Sequence, residues 1–373
     1  TGLALVNPGT ATASVLLTTY DDRGSQAASH ALALAPGEHV AKFLAEWFGE
    51  AKAPFRGTLE VRSDQPIGAL ALRGTNNDQG QFIMTSIPAR SDEVSQTGQI
   101  EALPQVADGG GYQTEWLMLN PLDSPLTGKV TFRKSDGSPW LLSIQGTVGS
   151  ELPYSIPAHG LVRWTTSGSG PDVNVGYCLL TPDPNQVPPA GGAVIRYLPG
   201  GGLLSETGLP FLAPSTLSGT YWELGPDLDT GVALVNTADR DQQIRLELFL
   251  RDGSEQVRTT QVSLSAGCHK ARFVSELFPG LPAASRGYLR VSSDSACGFL
   301  SLRMRTTSRG VLFSSLLLGH LTSGVDLLLP QVVYGGGYST QFIIANPGDL
   351  TSSGKILFYD IKGNPTRLLL RRP

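Results

Sequence analysis

LPQVADGGGYQTEWLMLNP, residues 103–121, returns as LPQVVYGGGYSTQFIIANP at residues 329–347, with eleven of the 19 positions identical. Each copy reads as a strand, a glycine turn, a second strand and a closing Asn-Pro. Working outward, the asparagine is the fixed point of a wider pattern. Asn7, Asn120, Asn236 and Asn346 stand at one constant spacing before Gly24, Gly137, Gly253 and Gly363 respectively. Between each pair lie an apolar strand (VLLTTY, KVTFRK, RLELFL, KILFYD) and a polar turn (DDRGS, SDGSP, RDGSE, IKGNP). The unit is written four times, at nearly even intervals marked by those asparagines. An interval of domain size predicts an array of small domains.

Two module types alternate. Type A covers 1–98 and 213–325; type B covers 103–212 and 326–373. Pro36–Gly74 aligns without a gap with Ala266–Met304, and 17 of those 39 positions are identical, among them Gly37/Gly267, His39/His269, Glu46/Glu276, Gly57/Gly287, Asp64/Asp294 and Arg73/Arg303. Short strands at regular spacing with turn signals between them predict an all-β chain of antiparallel, Ig-like β-sandwich modules in A-B-A-B order. One short helix is expected in each A module. In VAKFLAEWFGE the apolar residues Val40, Phe43, Leu44, Trp47 and Phe48 follow a helical period, and Phe273, Val274, Leu277 and Phe278 repeat it before Pro279-Gly280. The end modules read as incomplete. The first lacks the strand matching about 219–229, and the last stops soon after its Gly363 turn. Two readings of these ends stand: a piece of a longer tandem array, or neighbouring molecules that complete each other by strand addition.

Composition narrows the function. With 40% hydrophobic and only 16% charged residues, the chain is of globular type rather than disordered. A net charge of -4 offers no basic footprint for nucleic acid or anionic lipid. Every apolar run breaks before about 18 residues, so no membrane insertion by a helix is expected.

Catalytic spacing is missing from the sequence: there is no H-E-x-x-H, no G-x-S-x-G and no phosphate loop. His39, His159 and His269 recur at one turn of the repeat and read as structural. The chain is therefore expected to be non-catalytic and without cofactor. Asp227 and Asp229 in GPDLDTG are weak calcium candidates, being only two carboxylates. Arg73, Arg196 and Arg303 sit within apolar strands and need partners there, in an ion pair or at loop carbonyls; Asp64 and Asp294, in the RSDQP and SSDSA turns, are candidate partners or turn formers. Tyr112, Trp116, Tyr221, Trp222 and Tyr338 would form a sugar platform if they faced outward. Cys268 and Cys297 replace Glu38 and Ile67 of the first copy in one and the same module. They predict a disulfide worth about 3 kcal/mol in the chain-entropy picture, and with it an oxidising compartment. Cys178 reads as a small core residue.

The phrases TGLALVNP (1–8), AKFLAEWF (41–48), FRGTLEVRSDQPIGALALRG (55–74) and LPQVADGGGYQTEWLMLNP resemble a class of tandem β-sandwich repeats in large secreted or surface proteins of environmental bacteria. Cys268, Cys297 and Thr237 depart from that pattern. The resemblance implies an extracellular location and a multi-module parent, and it supplies no catalytic residues. The expected function is a structural, spacer or adhesive element, in its preferred form a subunit of a filament or surface layer joined by strand complementation. Its partners would be further copies of itself or neighbouring modules of a longer chain. A carbohydrate- or protein-binding module and an accessory part of a secreted enzyme are the rival readings.

Overall fold

Alternation of apolar and polar side chains gives a strand such as Glu151–Ile156 one buried and one wet face, whereas Glu101–Asp108 and Ser205–Pro210 are buried on both. The computed structural model describes residues 1–49, 55–87, 95–250, 258–316, 327–346 and 352–370. Among these the chain is all-β with two short helices, and its sheets are antiparallel.

In the first repeat, one sheet runs His39–Phe43, Gly2–Val6, Gly68–Asn76, Phe82–Ile87, and a second runs Gln26–Leu34, Ala13–Tyr20, Thr58–Ser63. Leu3 and Leu5 from the first sheet meet Val15, Leu17 and Leu34 from the second in one core, which Trp47 closes. The second repeat has the same plan with four strands a side. Glu151–Ile156, Leu126–Lys134, Asn174–Pro182 and Glu101–Asp108 form one sheet; Leu161–Thr165, Tyr112–Leu119, Ala190–Tyr197 and Ser205–Pro210 form the other. Trp116, Phe132, Val130, Cys178 and Ile195 lie in its core, which continues into Ala233, Leu300 and Phe313 of the third repeat.

The third repeat differs in two respects: it has a further strand, Ser215–Leu224, and an unbroken one. Where the first repeat breaks between Thr58–Ser63 and Gly68–Asn76, the third carries a single long strand, Ser285–Thr307. Its first half pairs with Gln242–Leu250 and Ser215–Leu224, and its second half with Leu228–Asn236 and Gly310–Leu316. Pro66 stands at the break, where a missing N–H cannot join a ladder; the third repeat has Ala296 there. In the fourth repeat the described strands are the short pair Phe358–Tyr359 and Pro365–Thr366.

Two expectations are corrected. The helix is shorter than its apolar pattern: it spans Leu44–Phe48 and Val274–Leu277, while Val40 and Phe43 lie in the strand His39–Phe43, held by pairing with Gly2–Val6. The repeated glutamate has its reason here, since Glu46 and Glu276 each accept the N–H of the phenylalanine three positions earlier, at 2.6 and 2.7 Å. The Cys268–Cys297 disulfide is not formed; both are free thiols. Asn236 lies between them. Its N–H donates to the Cys268 carbonyl on one side, and it pairs with Cys297 across the ladder on the other. Two strand spacings put the cysteines about 10 Å apart, beyond disulfide reach. Burial raises the Cys297 thiol and pushes Cys178 up to about 12, so both stay protonated. Cys178 is a core residue and accepts the Trp116 indole N–H on its sulfur.

Candidate functional site

The repeated asparagines are clamps. Asn236 is fully buried, and its amide donates to the carbonyls of Arg240, Leu264 and Ser265 at 2.8–3.1 Å while its oxygen accepts from the Ala238 N–H and the Gln242 amide. Asn120 repeats this on Ser124, Ile156, Pro157 and the Leu122 N–H, and Asn7 on Ala11, Leu34 and the Gly9 N–H. One side chain thus fastens a strand end to two neighbouring loops, a task that needs a donor and an acceptor on a short stem. Asn346 lies in a described stretch without regular strand structure.

A threonine staple lies six residues before Asn120, Asn236 and Asn346. The hydroxyls of Thr114, Thr230 and Thr340 accept from the N–H and donate to the carbonyl of the residue seven positions earlier: Ala107, Glu223 and Val333. This threonine was not anticipated from the sequence, although it recurs at the same place in QTEW, DTGV and STQF.

The repeated glycines meet the repeated Pro/Ala-Gly turns, and this contact joins one repeat to the next. Gly24, Gly137 and Gly363 have φ of 83°, 82° and 79°, a region open to glycine with little strain. The turn before Gly24 lies on residues 157–161 of the second repeat, where the Leu161 N–H donates to the Asp22 carbonyl at 3.1 Å. The turn before Gly137 lies on residues 265–269 of the third, with the His269 N–H donating to the Ser135 carbonyl at 2.9 Å. The turn before Gly363 lies on residues 35–39 of the first, with the His39 N–H donating to the Ile361 carbonyl at 3.1 Å. A Cβ on Gly137 would come within 2.8 Å of the Gly267 carbonyl oxygen, so side chains are excluded on the inserting turn. The receiving turn has its own left-handed residue, Gly37, His159 or Gly267, with φ of 74°, 58° and 66°. His159 therefore occupies the glycine position itself, and its ring stacks on Tyr20 at 4.8 Å. Gly253 falls outside the described residues.

Charge strengthens the first contact. Glu115 and Glu206, with side chains 0% and 1% exposed, are surrounded by Arg73, Arg163 and Arg196. Arg73 from the first repeat reaches Glu206 at 3.0 Å and Glu115 at 3.8 Å, and Arg196 reaches Glu115 at 2.8 Å. Arg163 pairs with the other oxygen of Glu115. Arg303, at the same repeat position, pairs with Glu223 at 3.1 Å. The arginines are thus ion-paired as expected, but to glutamates. Asp64 instead accepts the Ser14 N–H at 2.7 Å. Hydroxyls add to the joins: across the first contact Thr85 accepts from the Gly208 N–H, and between the second and third repeats Ser205 and Thr207 accept from the Phe313 and Ser315 N–H groups. These satisfy backbone donors at strand edges that would otherwise stand open.

Comparison with family models, curated proteins and solved structures finds no match for the chain.

The remaining candidates do not assemble. Asp227 faces Arg305 at 3.3 Å, while Asp229 accepts from the Thr230 N–H and the Ser275 hydroxyl, so the two carboxylates do not converge on a cation. Among the described residues no three His, Cys, Asp or Glu side chains are placed to hold a metal. Trp116 and Trp222 are fully buried, Tyr112 stacks on Tyr197 at 4.6 Å, and only Tyr338 of the five aromatics is half exposed. The sugar platform is therefore not formed.

The second contact contains a titratable group. His269 is 4% exposed, its Nδ1 lies 3.1 Å from the Ser135 hydroxyl, and Tyr177 donates its phenol proton to the Gly267 carbonyl beside it. Burial lowers the imidazole from 6.5 to about 4, and the Pro104 carbonyl opposes this only in part. The unfolded chain then binds a proton that the folded chain refuses between pH 6.5 and 4. Stability is full above the upper limit and falls through that window by about 3 kcal/mol. Urea melts at neutral pH and at the lower limit are expected to show this loss, and His269→Leu is expected to flatten it; an unchanged slope in the variant would count against the assignment.

Proposed function

We propose that the chain is a non-catalytic structural element of an extracellular filament or surface assembly, built of Ig-like sandwich modules in A-B-A-B order. The observation that carries this reading is the turn-on-turn contact made with one geometry at three places. A protein whose repeated residues serve clamps, staples and inter-repeat contacts has its recurring chemistry invested in shape. The extracellular setting follows from the resemblance of the repeat phrases. Rigid joints of this kind set reach and angle, where a flexible linker would leave both free. Electron microscopy of the purified protein across a concentration series tests the reading. Regular filaments or sheets with an axial repeat common to the modules are expected; isolated particles at every concentration would overturn it. Glycan arrays give the adhesive alternative its own readout.

A further inference from the structure

The contact between the fourth and first repeats has the same residue positions as the contact between the second and third. One constant shift carries the second repeat onto the fourth, taking Leu103 to Leu329; another carries the first onto the third, taking Pro36 to Ala266. Ser135 accepts from the His269 N–H; the shifted pair, Ile361 and His39, makes the same bond. Gly137 abuts Gly267; the shifted pair, Gly363 and Gly37, abuts likewise. Ala102 lies against Gly298, and the shifted pair Leu328 and Gly68 is again in contact. The first two pairs belong to the meeting turns and the third to a separate part of each repeat, so the agreement holds at two places on the docking face.

We infer that residues 35–39 and Gly68 of the first repeat form a docking site for the glycine turn of a type B repeat, and that this chain's own Phe358–Thr366 hairpin fills it. The contact is head-to-tail, one repeat giving the turn and the next receiving it. Such contacts either close into a ring or continue without end. Here the fourth repeat reaches back to the first, and the chain closes on itself. Selectivity for the inserting turn comes from its left-handed glycine and from a receiver that offers a backbone N–H two positions beyond its own left-handed glycine. The inference rests on the equivalence of the contacts and not on the structural role proposed above. An assembly of closed units would grow through other surfaces.

Amide hydrogen exchange on the full chain tests this. At a dilution where the chain is monomeric, the His39 amide is expected to be protected, as the His269 amide is. Gly363→Val is expected to speed exchange at His39 by at least about tenfold, the effect of losing about 1.4 kcal/mol, and to leave His269 unchanged. Protection at His39 that survives Gly363→Val, or that appears only as concentration rises, overturns the inference; the second result would assign the occupant to another copy. An independent check uses Cys268, which stands at the position of Glu38. Asp136→Cys is expected to cross-link to Cys268, and the double variant Glu38→Cys with Lys362→Cys to cross-link within one chain. Cross-links of the double variant between chains, or none where the Asp136→Cys pair forms, would equally overturn it.

Discussion

Replacing Glu115 by alanine is expected to destabilise the protein by about 3–5 kcal/mol, the cost of removing one partner from a buried ion pair. Glu115 is fully buried beside three guanidinium groups that are only 21–27% exposed. Once that charge is gone, Arg163 loses its acidic partner and Glu206 is left to face Arg73 and Arg196. Because Arg73 comes from the first repeat and Glu115 from the second, the loss reaches the joint between them as well as the core. A urea titration of the variant measures the total. A double-mutant cycle with Arg73→Met isolates the part that crosses the joint. A loss below about 1 kcal/mol would mean that the cluster is solvated and holds little, as exposed pairs do.

Asn236→Ala is the second large effect. Three carbonyls, one N–H and the Gln242 amide lose their partner at once. The expected loss is about 4 kcal/mol, since each hydrogen bond contributes about 1 kcal/mol, with more lost where the orphaned group stays dry. The clamps also predict an order. Asn120 makes four such bonds and Asn7 three, so N236A should exceed N120A, and N120A should exceed N7A. Thermal melts of the three variants read this directly. An inverted order would show that neighbouring loops relax onto water once the amide is gone.

The strands, the period and the turns were readable in the sequence because each rests on local chemistry: alternation, left-handed glycines and Asn-Pro stops. The repeats even marked the clamp, the inserting turn and the receiving turn as special. That the two turns meet was not readable, since Gly137 and Gly267 lie in different repeats and their contact is set by how whole repeats pack. Arginine partners failed for a related reason. Asp64 is near in sequence and plausible, whereas Glu115 and Glu206 reach Arg73 only through the joint. The cysteine pairing was inferred from two substitutions in one module, without the intervening strand that separates them. The helix was overextended because His39–Phe43 carries residues that suit either period, and pairing with Gly2–Val6 decided for the strand.

Ser285–Thr307 belongs to both halves of its repeat, being hydrogen-bonded to Gln242–Leu250 near one end and to Leu228–Asn236 near the other. Under a stretching force this strand acts as a tie-bar: the two halves cannot be pulled apart until ladders on both sides shear together. The first repeat, broken at Pro66, has only a corner at that place, and load arriving there peels one half from the other a bond at a time. Along one chain, then, closely similar repeats are expected to differ in toughness, the third having both an unbroken strand and an added partner for it in Ser215–Leu224.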